Sequence, residues 1–402
     1  MDFNKILMLI KPSKKEEEKM NKLADSIISK IKIKDTKVTL GGSGAKNTWL
    51  RGNHDIDIYV KFDCGKFKDK SDELSDILNN SLKKSFKKVE RLHGSRDYFH
   101  VKLKDYTVEI IPILNIKKED DARNITDFSH LHVSYVRNHS KLCDGVRLAK
   151  AFAMANEVYG AESYIRGFSG YVIELLVIHY KSFMNLIKSA SKWKDKEIIG
   201  NKNLAERLNP SKVQSPLILL DPVQPDRNAS AALSHEKYFK FIEACKNFLK
   251  KPSEEFFKER KINLNELKKK GKLIILKVNP IKNKLDVQGA KALKAFEHIK
   301  NELMRNEFRL IDSIFKFDEN VSYFYYILDR KELNNLKKHY GPPVDNEKAL
   351  EIFKNKYKNV VIDGNKSYTF IKREFTYPLK FTNNLIKDKY FRDKVKSINI
   401  LK

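Results

Sequence analysis

Residues 55–62, DIDIYVKF, alternate acidic and aliphatic side chains and read as a strand. Residues two apart on a strand share a face, so Asp55 and Asp57 point one way and Ile56 and Ile58 the other. Whatever this chain folds into must cover the aliphatic face and find a use for the acidic one. Paired carboxylates repel unless they share cations, and hard oxygen donors suit Mg²⁺. Two metal ions need at least one further carboxylate. Glu109 qualifies, being charged within the apolar strand YTVEIIPIL, residues 106–114, on the face opposite Val108 and Ile110. Upstream lies GGSGAKNT, residues 41–48. A Gly-Gly-Ser turn lets backbone N–H groups approach a phosphate at Gly42, with the Ser43 hydroxyl as a further donor. It is not a Walker A loop, because Lys46 follows Ala45 and no Gly-Lys-Ser/Thr occurs.

The surroundings of this segment form an α/β unit. Residues 13–33 predict an amphipathic helix opened by a Ser13/Glu16 capping box, and 37–40 a short strand. A helix is expected over 71–92, then strands at 98–103 and 106–114 joined tightly at Lys104-Asp105. From 134 to 250 the pattern turns helical, clearest at 147–160, with Gly160 as a stop, and at 170–187. Glu174 and His179 interrupt that last apolar helix. Their plain reading is a satisfied buried carboxylate and a helix-edge histidine. The prolines of 209–228 demand extended or looped chain. The C-terminal third reads β-α-β-β-α-β, the ferredoxin-like order, with its last strand at 367–375. In VSYFYYIL, residues 321–328, Tyr323 and Tyr325 share one face and Phe324 and Tyr326 the other, which favours core on one side. The expected fold class is α+β and multidomain, with domains at 1–133, 134–255 and 256–402.

Composition bounds the partners. The 402 residues carry 80 Lys and Arg against 52 Asp and Glu, a net charge of +28. Such an excess points to phosphates, in nucleic acid, acidic lipid or nucleotide. Lys outnumbers Arg 65 to 15, so any single Lys run is as readily compositional bias as function. Cys64, Cys143 and Cys245 are too scattered for a disulfide framework or a zinc site. No apolar run approaches the roughly 18 residues that span a bilayer, and no signal peptide is evident, so a cytoplasmic protein is expected.

The run GGSGAKNTWLRGNHDIDIYVKF resembles the signature of DNA polymerase β-like nucleotidyltransferases, and its NTWLRG portion resembles the archaeal-type, class I CCA-adding enzymes. Similar blocks recur in order at 147–176, 221–234 and 340–343, so the resemblance runs from about residue 5 to about residue 376. It implies that Asp55, Asp57 and Glu109 are the metal-binding carboxylates and that Gly42 and Ser43 form the phosphate turn. Lys46 falls where the family usually has Arg. SHLHVSYV, residues 129–136, is similar to a nucleotide-binding segment, which puts Ser129 and His132 at the nucleotide. Lys150 and Tyr159 match triphosphate contacts, and Arg227 an arginine implicated in choosing the incoming base. Asp55 stands where Glu is frequent and Glu109 where Asp is usual, swaps that retain charge. Beyond Thr376 the chain looks shorter than the family tail.

The function so implied is template-independent addition of C, C and A to the 3′ end of tRNA from CTP and ATP, with two Mg²⁺ ions and release of pyrophosphate. The partners implied are the acceptor and T arms of tRNA and the two nucleotides, with no membrane; a homodimer stays open. The rivals are a poly(A) polymerase or oligoadenylate synthetase-like enzyme on the same scaffold, and a non-catalytic RNA-binding protein.

Overall fold

The computed structural model describes residues 1–53, 55–103, 106–259 and 262–401. His54 and the Lys104-Asp105 connection lie outside the described residues.

Ser13 opens its helix as expected: its N–H donates to Glu16 Oε2 (2.7 Å) and its hydroxyl accepts from the Glu16 N–H (3.3 Å). The helix, however, ends at Ile28, and a further helix precedes it: α1 spans Phe3–Ile10 and α2 Lys14–Ile28. There follow β1 (Thr36–Leu40), α3 (Gly42–Lys46), β2 (Asp55–Asp63), α4 (Leu74–Ser85), β3 (Glu90–Leu92), β4 (Tyr98–Leu103) and β5 (Tyr106–Asn115). The glycine turn is therefore a short helix, closed by Asn47 in the left-handed region. The helix expected to reach residue 92 stops at Ser85, and its last residues form a strand instead.

These strands make one sheet in the order β1-β2-β5-β4-β3. Only β2 and β5 run parallel, with Asp57 opposite Glu109. Ile56, Ile58, Val60 and Phe62 join Val108, Ile110 and Leu114 under Ile27, Leu78 and Leu82 in one core. That burial commits the other face of β2 and β5 to carrying the acids.

Next come α5 (Ser129–Arg137), α6 (Cys143–Ala155), α7 (Gly170–Tyr180), α8 (Phe183–Ala190), β6 (Glu197–Ile199), β7 (Leu217–Leu219) and α9 (His235–Lys250). Their core is aromatic: Phe152, Phe168, Phe183, Phe241 and Phe248 are all buried. The single helix expected over 170–187 is two. Lys181 turns left-handed (φ 64°), and the Ser182 side chain caps the new helix through the Asn185 N–H. Likewise α6 stops at Ala155, five residues before Gly160. The chain divides into two compact units, Met1–Arg260 and Lys261–Lys402, and everything so far lies in the first.

The second unit holds α10 (Leu264–Lys270), β8 (Lys272–Pro280), α11 (Leu285–Arg305), β9 (Leu310–Lys316), β10 (Ser322–Leu328), β11 (Leu336–Pro343), α12 (Glu347–Lys356), β12 (Val361–Asp363), β13 (Lys366–Lys372), α13 (Pro378–Leu385) and β14 (Val395–Leu401). Its main sheet runs β14-β8-β10-β9, all antiparallel. This is the expected β-α-β-β-α-β order, but the closing helix and strand are α13 and β14. The segment 336–372 instead builds a separate sheet, β11-β13-β12. The reason is chemical. The buried side of β13 carries Ser367 and Thr369, whereas β14 brings Val395, Ile398 and Ile400 to the larger core. Phe324 and Tyr326 face that core, and the Tyr326 hydroxyl donates to the Phe296 carbonyl (2.9 Å), while Tyr323 and Tyr325 lie half-exposed on the other face.

Candidate active site

The acidic face of β2 meets α3 at close quarters. The Gly41 N–H donates to the Asp57 carbonyl (2.7 Å), and the Gly42 N–H to the Tyr59 hydroxyl (3.2 Å). Gly42 has φ +50°, and a Cβ there would run into the Asp57 carboxylate. Only glycine lets the turn sit against this acid. Burial first, then the Glu109 charge, push the Asp57 carboxyl up to about 6, against the pull of Lys46. Asp55 is exposed at the start of the strand, and Glu109 lies 3.4 Å from His100 Nε2 on β4. Burial, ahead of the Asp57 charge, keeps the Tyr59 phenol protonated, and Ser129 hydrogen-bonds to it from the start of α5.

A divalent cation fits this donor set: three carboxylates share one face, and the innermost resists ionisation without a counter-charge. Among the described residues no group of three His, Cys, Asp or Glu side chains is already gathered as a metal site.

Next to the acids lies a basic cluster. Lys46, at the end of α3, reaches Glu174 Oε2 (2.9 Å), and Lys150 on α6 reaches Glu174 Oε1 (2.8 Å). Thr48 donates to the same Oε1 (2.6 Å). Tyr159 follows in the α6–α7 connection, and its hydroxyl lies so close to Gly170 that a Cβ there would touch it at 2.9 Å and Lys150 Nζ at 3.7 Å.

Asp221 organises a third cluster. Tyr171 donates to its Oδ1 (2.9 Å) and Arg227 to its Oδ2 (3.2 Å). His132 Nε2 lies 3.1 Å from Oδ2. Burial opposes the Asp221 charge, yet His132, the Val223 N–H and the Tyr171 hydroxyl hold its carboxyl below the usual range. The His132 ring lies 4.3 Å from that of Tyr171, and Lys46 Nζ is 5.2 Å from the same tyrosine ring. Lys46 thus links all three clusters.

Sequence reasoning picked out the lysines, His132 and Arg227 but not Thr48, Tyr59, Tyr171 or Asp221, and it gave Glu174 only a structural part. One signal was available: a carboxylate at position 174 inside GYVIELLVIHY has to find cations.

A five-stranded sheet with carboxylates opposed on its parallel pair, packed against a glycine turn, defines a nucleotidyltransferase of the polymerase β-like class. Residues 20–132 match the nucleotidyltransferase domain, 144–258 the tRNA nucleotidyltransferase second domain, and 281–397 the CCA-adding enzyme C-terminal domain. The CCA-adding enzyme of Methanocaldococcus jannaschii is 32% identical over 96% of this chain and 90% of its own length. That of Nanoarchaeum equitans is 34% identical over 93% and 96%. The chain belongs to the CCA-adding enzymes. Members of this family act on tRNA and nucleotides with a divalent metal. A structure of Cid1, described as an RNA terminal uridylyl transferase, shares the fold of 65% of this chain and 97% of its own, with TM-score 0.51 and 12% identity. Among the described residues no helix is long and apolar enough to cross a membrane.

Proposed function

We propose that the chain adds C, C and A in turn to the 3′ end of tRNA, drawing on CTP and ATP at one site and releasing pyrophosphate. The observation that carries this is the opposition of Asp57 and Glu109 beside a turn that only glycine permits. Asp55, Asp57 and Glu109 would hold two Mg²⁺ ions, which when bound supply Lewis acidity at the terminal hydroxyl and neutralise the leaving pyrophosphate.

The chain's own groups do the rest. Gly42 and Ser43 offer the turn to the triphosphate, with Lys46, Lys150 and Tyr159 on its flank. Ser129 fixes Tyr59 against the turn. His132 and Arg227, both held by Asp221, face the sugar and base, so that base choice falls to Arg227 together with the RNA end. In this reading 1–133 is the catalytic head, 134–255 completes the nucleotide pocket, and 256–402 binds the acceptor and T arms. The reaction belongs in the cytoplasm, in tRNA maturation and repair.

The test uses purified protein, a tRNA transcript lacking CCA, CTP and ATP. Three nucleotides should be added, and then addition should stop. Long A tails, or indifference to CTP, would sink the proposal. Asp57→Ala should lower the rate by at least about a thousandfold while tRNA binding persists; an active Asp57→Ala enzyme would remove the metal assignment.

A further inference from the structure

Glu174 stands on the second turn of α7, fully buried in an otherwise apolar stretch, and no role given above uses it. It gathers three partners from two segments distant in sequence: Lys46 and Thr48 from one, Lys150 from the other. Lys150 also donates to the Thr48 hydroxyl (3.1 Å) and the Thr48 carbonyl (3.2 Å), so a phosphate contact from Lys150 takes the place of one of its Thr48 bonds while Glu174 keeps its hold on the ammonium. Lys46 commits one proton to the carboxylate and leans over Tyr171. Burial pushes the Glu174 carboxyl up, but Lys150 and Lys46 outweigh it and hold it at about 2. It is ionised throughout the working range, and its charge is shared between two cations.

Two lysines on flexible four-carbon stems, side by side without an anion, would repel each other and sample many rotamers. A single carboxylate with one oxygen on each removes both problems. We propose that Glu174 is a positioning residue for nucleotidyl transfer, setting the spacing at which Lys46 and Lys150 meet the triphosphate. This rests on the reading of those two lysines as phosphate contacts. A group of this kind acts on alignment more than on binding. Without it both ammonium groups still attract a triphosphate, but they no longer hold it where the terminal hydroxyl can attack.

Steady-state addition of CTP to a tRNA transcript lacking CCA tests the point. Glu174→Gln should lower kcat about tenfold or more while the KM for CTP stays within about threefold. Glu174→Asp, which keeps the charge, should recover part of the loss. Thr48→Val removes one hydroxyl of the network without stranding a charge and should lower kcat about threefold, which keeps the test alive if Glu174→Gln folds poorly. Burst titration of active molecules separates alignment from folding. A kcat unchanged in Glu174→Gln and Thr48→Val, or a loss matched by the lost active fraction, overturns the proposal. Lys46→Ala and Lys150→Ala read the underlying assignment separately, since each should raise the KM for CTP. If they do so while Glu174→Gln is silent, the positioning role alone fails; if neither moves KM, the phosphate reading fails and takes the proposal with it.

Discussion

A carboxylate pressed between a glycine turn and a second carboxylate is a reluctant acid. Asp57 has its value raised from an ordinary 3.8 to about 6 by burial and then by Glu109, so between those limits the folded chain holds a proton that the unfolded chain has lost. The stability this group contributes is fully present below its unfolded value and disappears as pH rises through about 6. A cation on the carboxylates reverses the penalty. Mg²⁺ should therefore raise Tm by several degrees at about pH 7.5 and much less at about pH 5, read by scanning fluorimetry. Equal shifts at both values would place the ion elsewhere. These acids were legible because strand alternation is a local signal. The partners of Glu174 were not, since Lys46 and Thr48 lie 128 and 126 residues away. Asp221 was hidden in the same way, in a proline-rich stretch that carries no periodicity.

Elements reveal a different limit. The strands β2 and β5 followed from alternation, and α2 from its capping box. The split of α7 from α8 did not, because it hangs on a lysine adopting a conformation more usual for glycine or asparagine. In the C-terminal unit, β13 has a strand's pattern and reads from sequence as the closing strand, while β14 fills that place. Which strand closes a sheet is a question of non-local pairing, and the small polar inner side of β13 was the clue. The pairing makes a prediction. Phe391, 3% exposed just before β14, should cost about 3–5 kcal/mol when changed to Ala. Tyr340→Ala, on the 336–372 sheet at 61% exposure, should stay within about 0.5 kcal/mol. Urea unfolding of the full chain measures both. A negligible loss at Phe391 would detach the closing strand from the core.

For the molecule, the net charge of +28 is best judged by its effect on RNA. If the lysines neutralise phosphates along tRNA, affinity should fall at least about tenfold between about 50 and 200 mM salt, measured by filter binding. A flat response would mark the excess as compositional bias. Closure of the C-terminal sheet by β14 also matters during synthesis. The central strand β8 is made more than a hundred residues before β14, the partner that covers one of its edges. On the ribosome the first unit can complete its own core while β8 still waits with an open edge, a template for stray pairing. A transcript broken late in the message would thus yield a nascent chain with an intact catalytic head and a sticky, unfinished second half. Such a chain is marked for chaperones and proteases by its own exposed backbone.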